Sequence, residues 1–193
     1  MIVLDVETTG LNPQKNAIVS IAAMDFSNPK NFFYEECRIW EGAEITQEAL
    51  NVNGFTHEQV VHSNKKSQSE ILTALFEWMA PVSDQTIAGQ NVHFDLGFLN
   101  ASLEREKLAN RVGKRIVDMH SLAYTHCLRH NKEIPLQYQR SNLNTTAIFK
   151  LVGLPSQPSP HHALTDVKMT AEAISRLVFK KNLLEEFKDC PIV

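Results

Sequence analysis

The pattern of apolar positions at the start of the chain predicts three strands. Residues 1–6 are apolar except for one acid, as expected of a central strand that is buried on both faces of a sheet. Residues 17–26 and 32–39 form two further short apolar runs. The pair Asn28-Pro29 between them is a turn signal. The first part of the chain is therefore expected to form a sheet.

Further along the chain, helical spacing alternates with short strands. Apolar positions three and four apart predict a helix over 68–80 and a long last helix over about 163–180. The other predicted elements are helices near 46–51, 56–62, 93–108, 118–130 and 142–152, and strands over 85–89 and 115–118. Strands that come first and then alternate with helices predict an α/β fold with a mixed five-stranded sheet flanked by helices.

Composition is that of an ordinary globular protein. The 193 residues suit one compact domain, and 43% of them are hydrophobic and 21% charged. No apolar run is long enough to span a membrane, and the N-terminus lacks the features of a signal peptide. Three widely spaced cysteines favour a reducing, cytoplasmic setting. Residues 1–180 are expected to form the domain, with 181–193 as a tail that packs on it or extends from it.

The net charge of −3 at first argues against a nucleic-acid partner. It arises from 22 acidic and 19 basic residues. Four of the acidic residues, Asp5, Glu7, Asp95 and Asp166, are candidate metal ligands. Without them, 18 acidic residues stand against 19 basic ones, a balance of +1. If metal ions neutralise those four acids, the remaining surface does not repel phosphate. The charge is then compatible with a nucleic-acid substrate.

The first strand contains two acids, Asp5 and Glu7. Because they are two residues apart on a strand, their side chains point to the same face. Burying two anions together in apolar surroundings is costly unless cations compensate. Gly10 supports a functional interpretation, since glycine lets the backbone turn tightly and approach a ligand closely. The alternative is that the strand ends at Asp5 and that both acids are solvated.

Two further acids lie at the starts of helices. Asp95 follows the strand at 85–89, at the end of an α/β sheet where ligands bind. Asp166 lies near the start of the last helix, and His161 stands five residues earlier, directly after the proline-rich loop 155–160. The alternative for each acid is purely structural, because the helix dipole favours a carboxylate in the first turn.

Three segments resemble the motifs of the DEDDh, or DnaQ-like, 3′–5′ exonucleases. They are Asp5-Val-Glu7-Thr-Thr-Gly10, Asn91-Val-His-Phe-Asp95 and His161-His-Ala-Leu-Thr-Asp166. The resemblance extends from residue 3 to about residue 175, and three motifs in this order are far more specific than any one alone. It implies a ribonuclease H-like fold.

The resemblance also implies a reaction. Terminal phosphodiester bonds of single-stranded DNA or RNA would be hydrolysed from the 3′ end, with release of nucleoside monophosphates. Each site would hold two divalent ions, Mg²⁺ or Mn²⁺. Asp5, Glu7 and Asp166 would bind the first ion, and Asp5 would bridge to the second, which Asp95 would hold partly through water. His161 would deprotonate the attacking water.

Some implied roles have a rival. His162 stands where a related branch of the family has a tyrosine, and it competes with His161 as the base. In the resembling enzymes an apolar residue at the position of Leu11 wedges against the terminal bases, whereas the alternative is that Leu11 packs into the core. The residues implied to bind substrate are Thr8, Thr9, Gly10, Leu11, His57, Asn91 and Phe94. Of these, Phe94 also fits the apolar face of its helix.

The resemblance implies a single-stranded 3′ end as the partner. Family members include polymerase proofreading subunits, RNA-trimming enzymes and oligonucleotide degraders, so a DNA polymerase is a second expected partner. The alternative function is a polymerase-associated proofreading or nucleic-acid-binding subunit with the same fold. The chain ends at Val193 without a long extension, which favours a freestanding enzyme, as a monomer or homodimer.

Overall fold

The sheet is built around β1 (Ile2–Thr8), the central strand of a computed structural model that describes all 193 residues. The other strands of this sheet are β2 (Ile18–Asp25), β3 (Phe32–Glu36), β4 (Ile87–Gly89) and β5 (Ile116–Asp118). β1 runs antiparallel to β2 and parallel to β4. The order across the sheet, β3-β2-β1-β4-β5, confirms the mixed five-stranded sheet expected from the sequence.

Seven α-helices surround the sheet. They are α1 (Gln47–Asn53), α2 (His57–Val61), α3 (Gln68–Met79), α4 (Val92–Arg105), α5 (Met119–Arg129), α6 (Thr145–Leu151) and α7 (Ala163–Phe179). α3 begins with a capping box, in which the side chains of Ser67 and Glu70 bond each other's backbone N–H groups. None of the helices combines the length and the apolar character needed to cross a membrane.

The side chains of β1 alternate between two cores, one on each face of the sheet. Ile2, Leu4 and Val6 join a cluster of 19 buried residues that includes apolar side chains of α3 and α4. Val3 joins a second cluster of 19 buried residues, which is built largely from α5, α6 and α7. The odd-numbered positions of β1 therefore face α7.

The strand and helix ends differ in places from the sequence prediction. β1 continues to Thr8, which still pairs with Ile18 after a bulge, so the alternative that the strand ends at Asp5 is wrong. α6 begins at Thr145 and not at residue 142, because the side chain of Asn144 caps it.

A two-stranded hairpin follows α5 where the sequence predicted no element. It consists of β6 (Leu136–Gln137) and β7 (Arg140–Ser141). Two residues per strand are too few to show an alternating pattern, so this hairpin left no periodic signal.

A buried ion pair within α7 holds the C-terminal segment. Arg176 and Glu172 are fully buried, with 2.7 Å between Nε and Oε1. The second oxygen of Glu172 accepts the N–H groups of Leu183 and Leu184. The guanidinium of Arg176 also donates to Asn182 and to the carbonyls of Val152, Gly153, Phe187, Cys190 and Pro191. Residues 181–193 thus pack on α7 and on the end of α6.

Replacing Arg176 would leave Glu172 buried without its cation. Arg176→Leu is expected to lower the free energy of unfolding by about 3–5 kcal/mol, as for other broken buried pairs. Lys168→Ala breaks the partly exposed pair between Lys168 and Glu186 and is expected to cost less than about 1 kcal/mol. Urea-induced unfolding measures both losses. Equal losses would show that the buried pair contributes no more than a surface one.

Candidate active site

Three carboxylates meet where β1 passes the start of α7. One oxygen from each of Asp5, Glu7 and Asp166 lies within 4.8 Å of the others. Asp5 and Glu7 project from the same face of β1, and Asp166 lies in the first turn of α7. Three carboxylate oxygens at this spacing are a donor set that suits a hard divalent cation.

Asp95 reaches the same cleft from the first turn of α4. It is buried, and its Oδ1 accepts the N–H of Val6 at 3.0 Å. Because Val6 lies between the two acids of β1, this bond holds Asp95 beside them. The start of α4 is held in turn by Asp118, whose Oδ2 accepts the N–H of Val92 at 3.2 Å.

Burial and mutual repulsion raise the pKa values of these carboxyl groups. Burial, followed by the charge of Asp166, raises the pKa of Glu7 to about 7. Burial raises the pKa of Asp95 to about 8, although the N–H of Val6 opposes the shift. The pKa of Asp5 rises well above its ordinary value, through burial and then through the charges of its three acidic neighbours. Four ionised carboxylates in this cleft therefore repel each other strongly unless cations bind.

The donor set fits a divalent cation. Glu7 Oε1 and Asp166 Oδ1 are buried and have no hydrogen-bond partner, whereas buried polar atoms in folded proteins almost always have one. No lysine or arginine forms an ion pair with any of the four acids. The cluster consists of oxygen donors only, which are the ligands that hard ions prefer.

The side chains of the adjacent residues His161 and His162 have different surroundings. His161 Nδ1 lies 3.6 Å from Asp166 Oδ2 and 3.2 Å from Gln157 Nε2, and its side chain is 39% exposed. The ring of His162 instead stacks on Tyr34 of β3, with 4.7 Å between ring centroids. Of the two rivals, only His161 lines the cleft that contains the carboxylates.

The four acids and His161 line a cleft of about 200 Å³. Asn91 and Phe94, two of the residues expected to bind substrate, line it as well. Phe94 also packs on Phe98, with 5.0 Å between ring centroids, so it belongs to the cleft and to the core. A larger cavity of about 640 Å³ adjoins the cleft and shares Gln90 and Asn91 with it.

Thr9 and Gly10 face the interior. Thr9 is fully buried, and its hydroxyl donates to the carbonyl of Glu44 and accepts the N–H of Ala17. A Cβ on Gly10 would lie 2.5 Å from the buried side chain of Asn16. The contact with Asn16 therefore requires glycine at this position.

Thr8, Leu11 and His57 do not line the cleft. The hydroxyl of Thr8 donates to the carbonyl of Gly10 at 2.7 Å. Leu11 is 84% exposed, so the alternative that it packs into the core is wrong. His57 is exposed at the first position of α2.

Gln157 is a residue of the cleft that the sequence did not reveal. It lies in the proline-rich loop, faces His161, and lines the cleft together with Thr145 and Thr170. The only feature of the sequence that could have pointed to Gln157 as a cleft residue was its position four residues before His161. A polar residue in a loop is too common for that spacing to indicate a site in a single sequence.

The chain belongs to a known exonuclease family. The RNase T family model, described as Exonuclease, matches residues 2–174. The family is the DEDDh class that the three motifs resemble, so the chain carries an exonuclease domain. Members of this class generally use divalent metal ions, in agreement with the carboxylate cluster.

Two kinds of curated relative are similar to the chain. Ribonuclease T of Vibrio campbellii is 31% identical over 120 residues, which are 55% of this chain and 56% of the relative. DNA polymerase III PolC-type of Thermotoga maritima is 28% identical over 191 residues, which are 92% of this chain and 12% of the polymerase. The chain thus spans about half the length of the first relative and about an eighth of the second.

Solved structures share the fold. The nuclease domain of 3′hExo, a DEDDh family member bound to rAMP, has a TM-score of 0.74 at 17% identity, with 95% of this chain and 94% of that chain covered. Exonuclease I of E. coli in complex with an oligonucleotide has a TM-score of 0.71 at 18% identity, with 93% of this chain and 40% of that chain covered. The ribonuclease H-like fold expected from the sequence is therefore confirmed.

Ionised Glu7 opposes folding when no metal is bound. Its pKa of about 7 lies above the ordinary 4.5, so its contribution to stability is lost as the pH rises from about 4.5 through 7. In EDTA, Glu7→Gln is expected to raise Tm at about pH 8 by about 3 °C or more, the shift for roughly 1 kcal/mol in a domain of this size. At about pH 5 we expect little change. Thermal unfolding followed by circular dichroism measures both shifts.

The control for this experiment is Glu133→Gln, which removes an exposed carboxylate far along the chain from the cluster. It is expected to leave Tm unchanged at both pH values. An equal gain from Glu7→Gln at both pH values would contradict the electrostatic origin of the effect.

Proposed function

We propose that the chain is a 3′–5′ exonuclease that hydrolyses the terminal phosphodiester bond of single-stranded DNA or RNA and releases nucleoside monophosphates. The proposal is carried by the convergence of four carboxylates and one partly exposed histidine in a single cleft. Family membership supports the nuclease class. The 3′hExo nuclease domain, similar in fold, is described as bound to rAMP, which is a nucleoside monophosphate.

Two Mg²⁺ or Mn²⁺ ions would be held in this cleft. Asp5, Glu7 and Asp166 would bind the first ion, and Asp5 would bridge to the second, beside Asp95. When bound, such a pair of ions stabilises the charges on the attacking and leaving oxygens of an in-line displacement at phosphorus. The purely carboxylate donor set supports these hard ions over Zn²⁺.

His161 would act as the general base. Its partly exposed ring accepts a proton from water, and the water oxygen then bonds to the phosphorus of the terminal nucleotide. The bond from phosphorus to the 3′ oxygen of the preceding nucleotide breaks, and that oxygen takes a proton from solvent. Asp166, at 3.6 Å from Nδ1, stabilises the imidazolium that forms.

The polymerase relative supports a second candidate function. Because the match covers 92% of this chain but only 12% of the polymerase, the chain resembles one part of a larger DNA polymerase. A proofreading or nucleic-acid-binding subunit that acts with a DNA polymerase would have the same fold. Activity of the isolated chain on free single strands would exclude a subunit that only binds nucleic acid, whereas stable association of the chain with a DNA polymerase would favour the proofreading subunit over the freestanding enzyme, whether monomer or homodimer.

The central test of the proposed function is the loss of Asp5. With Mg²⁺ or Mn²⁺, the chain is expected to shorten 5′-labelled single strands stepwise from the 3′ end. Asp5→Ala is expected to reduce this rate by at least about 10³-fold, because both ions lose a ligand. Asp189→Ala, which removes an exposed carboxylate of the tail, should keep full activity.

The rates at which the chain degrades DNA and RNA strands of the same sequence show which sugar it prefers. A wild-type chain that degrades neither would overturn the proposal in favour of the binding subunit.

The two histidines are expected to behave differently. His161→Ala should reduce kcat by about 10²- to 10⁴-fold, the usual contribution of a general base. His162→Ala should affect Tm more than kcat, because its ring stacks on Tyr34 outside the cleft. Steady-state kinetics at saturating metal measure both. Full activity of His161→Ala together with loss of activity in His162→Ala would reverse the assignment.

A further inference from the structure

The turn between α1 and α2 is bonded to the strand that carries two of the acids. Asn53, the last residue of α1, is buried, and its Nδ2 donates to the carbonyl of Thr8 at 3.0 Å. Thr8 directly follows Glu7 on β1. The Oδ1 of Asn53 accepts the N–H of Phe55 at 3.2 Å, which closes the turn. The amide of Asn53 thus uses its donor and its acceptor to tie this turn to the end of β1.

The same turn is bonded to the loop that carries His161. The carbonyl of Val52 accepts the N–H of His161 at 2.8 Å. Gly54 has a φ of 74°, and a Cβ at this position would lie 2.8 Å from the ring of Pro160. The backbone on both sides of Asn53 therefore contacts the end of the proline-rich loop closely.

We propose that Asn53 is a positioning residue that fixes His161 relative to the acids of β1. No hydrogen bond joins β1 directly to residues 155–162, whereas the path from Thr8 through Asn53 and Val52 to His161 is continuous. The other partners of His161 are Gln157, in its own loop, and Asp166 at 3.6 Å. The turn is thus the hydrogen-bonded link between His161 and the metal-binding strand.

This inference rests on the proposed function, because it concerns the geometry of the base. Displacement of a reacting group by about 1 Å can reduce a rate about 10²-fold, even when the mutated residue does not touch the substrate. Asn53→Ala removes both hydrogen bonds of the amide. Asn53→Asp keeps the acceptor for Phe55 and removes the donor to Thr8, and it serves as the second variant if Asn53→Ala does not fold.

The first test separates positioning from binding. Below the Tm of every variant, Asn53→Ala is expected to lower kcat about 10- to 100-fold, with KM and half-activating metal concentration changed less than about twofold. The control Asn51→Ala removes an exposed amide of the same helix, bonded only to Gln47, and should leave kcat unchanged. An Asn53→Ala enzyme that behaves like this control would overturn the proposal.

The second test asks whether Asn53 acts through His161. In a His161→Ala background, Asn53→Ala is expected to change the residual rate less than about threefold, since the group that it positions is gone. A loss as large as in the wild-type background would show that Asn53 acts on another part of the site, and would overturn the proposal.

The third test does not depend on activity. In the metal-free protein, Asn53→Ala is expected to speed hydrogen exchange of the His161 amide about tenfold or more relative to the core amide of Ile21, whereas Asn51→Ala does not. Exchange is measured by NMR. Unchanged protection of His161 would overturn the inference whatever the enzyme does. Loss of protection in a chain that cleaves no nucleic acid would sustain the structural link and count against the proposed function alone.

Discussion

The domain depends on the register of one strand that is buried on both faces. β1 presents its even positions to one core and Val3 to the other, and the same alternation directs Asp5 and Glu7 toward α7. A slip of one residue would move both acids into the opposite core and the apolar side chains out of theirs. Hydrophobic burial therefore fixes the geometry of an acidic site, and the other elements only bring Asp95 and Asp166 to a place that β1 has already set.

The acidic cluster and the apolar cores have opposite effects on folding. Four neighbouring carboxyl groups with raised pKa values weaken the metal-free fold near neutral pH, while two clusters of 19 buried residues each stabilise it. Such local conflict between stability and chemistry is characteristic of active sites. The site is tolerated because the repulsion is confined to the carboxyl end of β1, while the cores extend over the whole sheet.

The parts of the structure that the sequence predicted are those with a local or repeated signal. The five strands and the long helices follow from apolar periodicity, and the acids were singled out as a set by three short segments that resemble the motifs of an exonuclease family. Asn53 left no such signal, because its partner Thr8 is 45 residues away and a polar residue in a turn is ordinary. Nothing in the local sequence distinguishes Arg176 from a surface cation near the end of a helix. Its burial depends on the tail folding back over it, which no local pattern records.

The ion pair in α7 has a consequence for protein engineering. Asp166 and Arg176 are ten residues apart on one continuous helix, so about 15 Å of rigid backbone separates the end that carries Asp166 from the end that binds the tail. A purification tag or a fused partner that pulls residues 181–193 away from Arg176 would disturb the far end of the element that presents Asp166. Attachment at this terminus therefore calls for a flexible spacer, whereas the exposed hairpin at 136–141 offers an insertion point away from α7.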